Sequence, residues 1–230
     1  MNVKHLGRVD FESSYKAMQK FSNERSAATQ DELWICEHEP VFTQGLAGRA
    51  ENVLSNTNIP ILQTDRGGQI TYHGPGQIVA YPLVNLKRLG IFVKEYVYLL
   101  EESILKTLLF FGVTGHRVQG APGIYVQIDS PHGHSILKKS DIQNNSTLSH
   151  QPQFNGLGKV AALGIKVTRH CTYHGLSINV KMDLKPFDLI NPCGYKGLKT
   201  VDLSTMGIRA EADEVAQVLA DKLCIYLEPK

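Results

Sequence analysis

Apolar residues recur along the chain at helical spacing in three places. A helix is predicted to begin at Phe11, with Asp10 as its N-cap, because apolar residues follow at intervals of three and four. A longer amphipathic helix is predicted over residues 91–111, where Gly112 supplies a stop. A third is predicted over residues 210–226, close to the end of the chain.

Short apolar runs bounded by glycine, proline or polar residues predict the strands. They fall at residues 33–37, 59–63 and 78–84, within 113–128, and at 159–167 and 172–180. The last two are close enough to form a hairpin. With no internal repeat and no linker, the pattern predicts a single α+β domain over residues 1–230, with a mixed, largely antiparallel sheet flanked by helices. The polar residues 129–158 are interpreted as an exposed insertion in that domain.

The stretch from Arg66 to Gln77 is unusual because five of its twelve residues are glycine or proline. We expect a loop whose shape is set by its backbone, rather than a core element. Paired glycines let a ligand approach main-chain N–H groups closely, and Arg66, Tyr72 and His73 can contact the polar end of a substrate. A strained turn between two strands is the alternative, but the density of special residues favours a binding loop.

Composition narrows the class of protein. A hydrophobic fraction of 42% argues against disorder, and no apolar run approaches the ~18 residues that a membrane helix needs. The first ten residues lack a secretory signal core, so secretion is not expected. The chain has four cysteines without CxxC spacing, which suits a reducing cytoplasm better than a disulfide framework or a zinc ribbon. No array of basic and aromatic residues indicates nucleic-acid binding.

Charge is unevenly distributed, although the total is only +2. Residues 156–209 hold 8 basic and 3 acidic residues, a net charge of +5, whereas residues 1–155 hold 14 of each. This positive segment predicts acidic partners. His132 and His134 have a spacing that could hold a metal ion, but no cysteine or carboxylate partner accompanies them, and we expect a solvated loop.

Two residues outside the glycine-rich stretch are candidates for chemistry. Cys193 lies between Pro192 and Gly194 in the positive segment, where nearby cations favour the thiolate. The other three cysteines lie at strand or helix positions and are interpreted as inert small hydrophobes. Lys159 opens a run of small residues and, taken alone, is best interpreted as an exposed lysine at a strand end. A nucleophile and base formed by Cys193 and Lys159 is a hypothesis that spacing alone does not establish.

Four ordered blocks of this sequence resemble the octanoyltransferases, the lipoyl(octanoyl) transferases of lipoate biosynthesis. They are RGGQITYHGPGQIVAYPL at 66–83, KVAALGI at 159–165, HGLSINV at 174–180 and NPCGY at 191–195. The resemblance covers nearly the whole chain and implies the fold of the catalytic domains of biotin and lipoate protein ligases. Relatives usually join the strand at 123–126 to the lysine strand by a tight turn, whereas this chain has residues 129–158 there.

The resemblance implies that an octanoyl group passes from octanoyl-acyl carrier protein to the ε-amine of a lysine. The implied acceptors are lipoyl domains of 2-oxoacid dehydrogenase complexes and the H protein of the glycine cleavage system. Cys193 would carry the octanoyl group as a thioester, while Lys159 would favour the Cys193 thiolate and serve as general acid and base. The resemblance implies no cofactor, metal ion, nucleic acid or membrane.

The acyl-binding residues are likewise implied by the resemblance, and their backbone N–H groups are candidates to stabilise an oxyanion. They are Arg66, Gly67, Gly68, Gln69, Ile70, Thr71, Tyr72, His73, Ala162, Leu163, Gly164, Gly175, Leu176 and Ser177. One alternative is an ATP-dependent lipoate–protein ligase of the same fold, which requires an adenylate-binding surface and no nucleophilic cysteine. Another is a non-catalytic module that binds acyl carrier proteins or lipoyl domains.

Overall fold

A computed structural model describes residues 1–130, 152 and 154–229. Most of the segment 129–158, predicted to be an exposed insertion, lies outside these described residues, and so do His132 and His134. Within the described part of the chain, strands and helices follow one another in a mixed order.

The strands are β1 (Asn2–Val9), β2 (Glu32–His38), β3 (Val41–Gln44), β4 (Ile61–Gln63), β5 (Ile70–His73), β6 (Gln77–Leu83), β7 (His116–Val118), β8 (Ala121–Gln127), β9 (Leu157–Thr168), β10 (Cys171–Asn179) and β11 (Lys199–Thr200). The helices are α1 (Phe11–Glu24), α2 (Leu86–Leu89), α3 (Val93–Phe110) and α4 (Ala212–Tyr226). Short 3-10 turns lie at Ala50–Asn52, Lys185–Leu189 and Pro192–Gly194.

Eight strands form the larger sheet, in the order β1-β2-β6-β10-β9-β8-β7, with β11 paired to β9. The β1–β2 and β9–β11 pairs are parallel, and the other pairs of this sheet are antiparallel. A smaller sheet has the order β4-β3-β5. The predicted fold, a mixed and largely antiparallel sheet flanked by helices, is therefore confirmed.

Helices cover both faces of the larger sheet. On one face α3 and α4 pack together, and Leu100 and Leu219 belong to the same fully buried core as Ile35 and Ala80. On the other face Met18 of α1 packs in a cluster with aromatic and aliphatic residues that include Tyr81. Since adjacent residues of a strand face opposite sides, Ala80 and Tyr81 enter different cores. The candidate site residues lie where α1 and the smaller sheet meet the larger one.

Helix boundaries follow the predicted signals. The Ser13 backbone N–H donates to Asp10 Oδ2 at 2.8 Å, so Asp10 is the N-cap of α1. Gly112, two residues beyond the end of α3, has a φ of 75°, a left-handed conformation that suits glycine. In the part of the chain that the structure describes, no helix has both the length and the apolar character needed to cross a membrane.

Four strands, β1, β3, β5 and β11, were not predicted, and for the first three the reasons are local. β1 is an edge strand whose side chains are mostly exposed, so it lacks the alternation that burial on one face would impose. β3 is short and lies between Pro40 and Gly45. The expectation of a loop throughout 66–77 is wrong in its centre, because Ile70–His73 forms β5 and pairs with β3. The antiparallel pairing with β3 is a contact between distant segments, which the local glycine pattern does not indicate.

Candidate active site

Cys193 lies in a tight turn and has a left-handed backbone, with a φ of 56°. A residue other than glycine in this conformation carries strain that its surroundings must hold. The Asn191 N–H donates to the Asn52 carbonyl at 2.8 Å on one side of Cys193. On the other side the Tyr195 hydroxyl donates to the Gly120 carbonyl at 3.0 Å. Both anchors come from distant parts of the chain, so the position of Cys193 is set by tertiary contacts.

Lys159 meets Cys193 from the neighbouring strand β9. Its Nζ lies 2.9 Å from Cys193 Sγ and donates to the Pro122 carbonyl, also at 2.9 Å. The ammonium also lies 5.4 Å from the centre of the Tyr125 ring, a cation–π distance. Only 4% of Lys159 is exposed, so the interpretation of an exposed strand-end lysine is wrong. The structure brings together the two residues that the sequence singled out separately.

Gly123 makes room for this lysine and was not among the predicted site residues. A Cβ at Gly123 would lie 2.6 Å from Lys159 Cε and 2.7 Å from the Ala161 carbonyl oxygen. Its φ of 127° also disfavours an L side chain. The Gly123 N–H donates to the Glu101 carboxylate at 3.2 Å. A glycine inside a strand often marks a close approach of this kind, which is the one signal the sequence offers.

A cavity opens from Cys193 along the α1 side of the larger sheet, and we call it the inner cavity. It encloses about 490 Å³ of empty space, part of it open to solvent. Of the predicted acyl-binding residues it is lined by Arg66, Gly68, Gln69, Ile70, Thr71, His73, Ala162, Leu163, Gly164, Gly175, Leu176 and Ser177. Residues that were not predicted complete its wall, namely Phe11, Val79, Tyr81 and His174.

Two predicted acyl-binding residues lie elsewhere. Tyr72 points away from the inner cavity because its neighbours on β5, Thr71 and His73, occupy the opposite face of the strand. Its ring packs against Phe42 and Phe187, with centroid distances of 5.4 and 5.5 Å. Gly67 lines a second cavity, described below.

Arg66 holds the glycine-rich loop rather than offering its guanidinium to the inner cavity. Its Nη2 donates to the carbonyls of Thr43 at 2.6 Å and Gln69 at 2.7 Å, and its Nη1 donates to the carbonyl of Gly67 at 3.0 Å. Burial lowers the pKa of Arg66 to about 10, which still leaves a cation at neutral pH. Arg66 thus lines the inner cavity while these guanidinium nitrogens are paired with the loop backbone.

His73 contributes a neutral wall to the inner cavity. Burial lowers its pKa to about 3, so the imidazole is uncharged at neutral pH. Its Nδ1 donates to Gln77 Oε1 at 2.7 Å, because the amide nitrogen of Gln77 is used toward Asn179 Oδ1 at 2.9 Å. Nε2 then accepts from the Thr43 hydroxyl at 3.3 Å. Both ring nitrogens are thus occupied within the protein.

A cluster of hydrogen-bonded residues around the Asp65 carboxylate lies behind the inner cavity, and the sequence analysis did not find it. Asp65 accepts from the hydroxyls of Tyr15, at 2.9 Å, and Tyr173, and from His174 Nε2 at 3.0 Å. Burial alone raises the pKa of Asp65, but these hydrogen bonds outweigh it and hold the pKa below its usual value. Burial lowers the pKa of His174, so it donates as a neutral ring. These residues are dispersed in sequence, and of the four only His174 belongs to one of the blocks that carry the resemblance.

A second cavity also reaches Cys193, and we call it the outer groove. It encloses about 860 Å³ of empty space, part of it open to solvent. It shares part of its wall with the inner cavity, namely Gly68, Gln69, Leu163, Gly164 and Cys193. The rest of its wall is formed by Ala47, Gly67, Val97, Ala121, Pro122, Ile165 and Tyr195. The two cavities therefore meet at the thiol.

Comparison with known proteins identifies the family. Residues 11–224 match the family model of the lipoyl protein ligase A/B catalytic domain. The chain belongs to that family. It is 60% identical over 224 residues to an octanoyltransferase of Albidiferax ferrireducens, covering 97% of this chain and 96% of the relative. It is 59% identical to an octanoyltransferase of Variovorax paradoxus with the same coverage. The predicted octanoyltransferase resemblance and the acyltransferase class are confirmed.

Solved structures support the fold. A lipoate protein ligase A bound with ATP superposes with a TM-score of 0.69 at 12% identity, covering 98% of this chain and 85% of the other. A lipoate protein ligase of Thermoplasma acidophilum with bound lipoic acid gives 0.68 at 12% identity, with coverage of 99% and 86%. A biotin protein ligase of Aquifex aeolicus gives 0.52 at 13% identity, with coverage of 98% and 70%. At such low sequence identity, the structural similarity supports the fold alone.

Proposed function

We propose that this protein transfers an octanoyl group from octanoyl-acyl carrier protein to the ε-amine of a lysine on a lipoyl domain, through a thioester on Cys193. The contact of 2.9 Å between Lys159 Nζ and Cys193 Sγ carries this proposal, because it pairs a nucleophile with a proton donor where two cavities meet. The acceptors are lipoyl domains of 2-oxoacid dehydrogenase complexes and the H protein of the glycine cleavage system. The reaction belongs to the cytoplasm, where thiols stay reduced.

The first half of the reaction acylates the enzyme. The Cys193 thiolate, stabilised by the Lys159 ammonium, attacks the thioester carbonyl carbon of the donor. A carbon–sulfur bond forms to Cys193 and the carbon–sulfur bond to the donor breaks. The departing thiolate takes a proton from Lys159 Nζ and leaves as a thiol, so Lys159 becomes neutral.

The second half passes the acyl group to the acceptor. The neutral amine of the acceptor lysine attacks the carbonyl carbon of the thioester on Cys193 and forms the amide bond. The carbon–sulfur bond to Cys193 breaks, and Lys159 takes the proton that the amine loses. Thiolate and ammonium are thereby restored, and ATP has no part in the cycle.

The inner cavity suits the octanoyl chain. Its walls include Phe11, Val79, Leu163 and Leu176, which are apolar, while the polar groups of Arg66 and His73 are already paired within the protein. Burial of a hydrocarbon chain against such walls is favourable at about 0.8 kcal/mol for each methylene group. Chain binding can thus place the carbonyl carbon next to Cys193.

Exposed lysines occur in the sequence on both sides of Cys193. Those in the described residues include Lys181, Lys185, Lys196 and Lys199, and they belong to the positive segment 156–209. Acidic partner surfaces would be attracted to this side of the molecule, which favours rapid encounter at low salt. Both the proposed donor and the proposed acceptor are expected to approach here.

An ATP-dependent lipoate–protein ligase of the same fold is the competing function. Such an enzyme must hold an anionic triphosphate. Among the residues that line the two cavities, Arg66 is the basic side chain with a permanent charge, and its Nη atoms donate to backbone carbonyls. The lining therefore favours an uncharged acyl thioester group over a nucleotide.

Intact-mass measurement tests the proposal. The full chain is incubated with octanoyl-acyl carrier protein without ATP, and we expect an octanoyl adduct on the peptide that contains Cys193. Cys193→Ser should lose both the labile thioester adduct and octanoyl transfer to a lipoyl domain. Cys224→Ser, a matched change of a half-buried cysteine on α4, should retain both. Full transfer by Cys193→Ser, or transfer that requires ATP, would contradict the proposal.

A further inference from the structure

The arrangement of the two cavities around Cys193 imposes directions on the reacting groups. The carbonyl carbon of a thioester bears an acyl chain and a sulfur substituent, which extend in different directions from it. If the acyl chain occupies the inner cavity, the sulfur substituent must leave the thiol by another path. In the described residues the outer groove provides such a path, because it also ends at Cys193 and is open at its far end.

The outer groove has the shape and character of a path to solvent. Ala47, Gly67 and Pro122 are exposed and form its mouth. Val97, on the side contributed by α3, and Ile165, on β9, are half-buried and give the groove apolar walls. Among the described residues that line it there is no aspartate, glutamate, lysine, arginine or histidine.

Because its lining is uncharged, the outer groove favours some kinds of ligand over others. Along these walls a nucleotide or another anion would lose its hydration without a cationic partner, since Lys159 lies only at the Cys193 end, and this loss is costly. A slender, uncharged arm of methylene and amide groups loses little, since its methylene groups contact apolar walls. We propose that the outer groove binds the thiol arm of the acyl donor and then admits the lysine side chain of the acceptor, an inference that rests on the proposed function.

Sequential use of one groove follows from the chemistry of the carbonyl carbon. In the first half-reaction the donor sulfur leaves this carbon on the side away from the inner cavity, and Lys159, 2.9 Å from Cys193 Sγ, supplies its proton. In the second half-reaction the acceptor nitrogen forms its bond at the same carbon and gives its proton to the same Lys159. Leaving sulfur and entering nitrogen therefore occupy equivalent positions, and the thiol must depart before the lysine enters. Donor and acceptor then compete for one free enzyme form, giving ping-pong kinetics in which excess acceptor inhibits acylation.

A substitution on each wall of the groove tests this inference. Val97→Trp narrows the groove from α3, and Ala47→Trp narrows it at the exposed mouth, where a folding defect is not expected. Leu109→Trp is the matched control, because Leu109 is an exposed residue of α3 that lines neither cavity. Each full-length variant is acylated with octanoyl-pantetheine, which has a long arm, and with the octanoyl thioester of ethanethiol, which has a short one.

The rate ratio between the two donors is the decisive measurement. We expect the ratio of long-arm to short-arm acylation to fall roughly ten-fold in Val97→Trp and Ala47→Trp, and less than about two-fold in Leu109→Trp. Enzyme acylated beforehand with the short donor should also pass octanoyl to a lipoyl domain more slowly in the two groove variants.

Two results distinguish a failure of this inference from a failure of the proposed function. An unchanged ratio in both groove variants would overturn the inference while leaving the Cys193 thioester intact. Absence of any octanoyl adduct on Cys193 in the unaltered protein, from either small donor and from the acyl carrier protein, would instead overturn the proposed function and this inference with it.

Discussion

Lys159 Nζ lies 2.9 Å from Cys193 Sγ, although 34 residues separate them in sequence. Lys159 lies within strand β9, whereas Cys193 lies in a strained turn. The contact therefore joins a strand of the larger sheet to a turn whose position is set by tertiary contacts. The ammonium also donates to the Pro122 carbonyl and faces the Tyr125 ring. These partners leave one orientation for the ammonium, directed at the thiol.

Replacement of Lys159 tests its role in activating the thiol. We expect Lys159→Met to lower octanoyl transfer by roughly 10²- to 10⁴-fold, since proton transfer and thiolate stabilisation are lost together. Alkylation of Cys193 by iodoacetamide at pH 7 should slow in parallel, as measured by peptide mass spectrometry. Lys166→Met, on the same strand but lining neither cavity, is the control. Equal alkylation rates in Lys159→Met and the unaltered protein would remove Lys159 from this role.

Gly123→Ala should displace Lys159 without adding or removing a functional group. The added Cβ would lie 2.6 Å from Lys159 Cε, so the side chain must move and the distance to Cys193 changes. We expect transfer to fall by roughly 10²-fold, measured with octanoyl-acyl carrier protein and a lipoyl domain. Gly207→Ala controls for backbone strain, because Gly207 also has a positive φ but an added Cβ there would meet open space. Similar activity in the two variants would contradict the importance of space at Gly123.

Val79 lines the inner cavity and gives a test of chain length. Val79→Phe should shorten the space for the acyl chain along the sheet. We therefore expect the rate of octanoyl transfer to fall roughly ten-fold relative to the rate of butanoyl transfer. A ten-fold change corresponds to the free energy of burying one to two methylene groups. Val79→Ala should shift preference toward decanoyl. Competition between acyl donors of different length, followed by mass spectrometry of the acylated acceptor, gives the ratios directly. Unchanged preference in both variants would place the acyl chain elsewhere.

Asp65 gives a test of stability against pH. Its pKa is held low in the folded protein, so its ionised form stabilises the fold above the unfolded value of 3.8, and this contribution is lost as pH falls below it. We expect Asp65→Asn to lower the free energy of unfolding by about 1–2 kcal/mol at pH 7, through weaker hydrogen bonds to the amide. The difference from the unaltered protein should shrink at pH 3. Urea denaturation at both pH values measures it.

Asp188→Asn serves as the control for the pH experiment, because Asp188 is exposed. It should change the free energy of unfolding little at either pH. A deficit in Asp65→Asn that stays equal at pH 7 and pH 3 would show that the charge of Asp65 is not what stabilises the cluster.

Several site residues could be predicted from sequence because their chemistry is unusual for their surroundings. A cysteine between proline and glycine, and a dense group of glycines after Arg66, stand out in any interpretation of the chain. Gly123, Phe11 and Asp65 could not be found this way. Glycine, phenylalanine and aspartate are common residues, and these three gain their roles only from what folding places beside them.

At Arg66 and Tyr72 the predicted contact with substrate depended on the direction of the side chain, which the sequence does not give. Both belong to a block that resembles the family, yet one donates to the loop backbone and the other packs against Phe42 and Phe187. A motif specifies that its residues occur together in sequence. It does not specify which face each side chain takes, because that depends on the pairing of β5 with β3.

The sequence by itself determined the class of fold, the helix boundaries and the residues able to carry chemistry, since periodicity, capping and residue type are local properties. Tertiary structure decided that Lys159 is buried against Cys193 and that two cavities meet at the thiol. The physical reason is that both features arise where separate strands, a turn and α1 pack together. Contacts between such distant segments depend on sheet order and register, which the local pattern of residues does not contain.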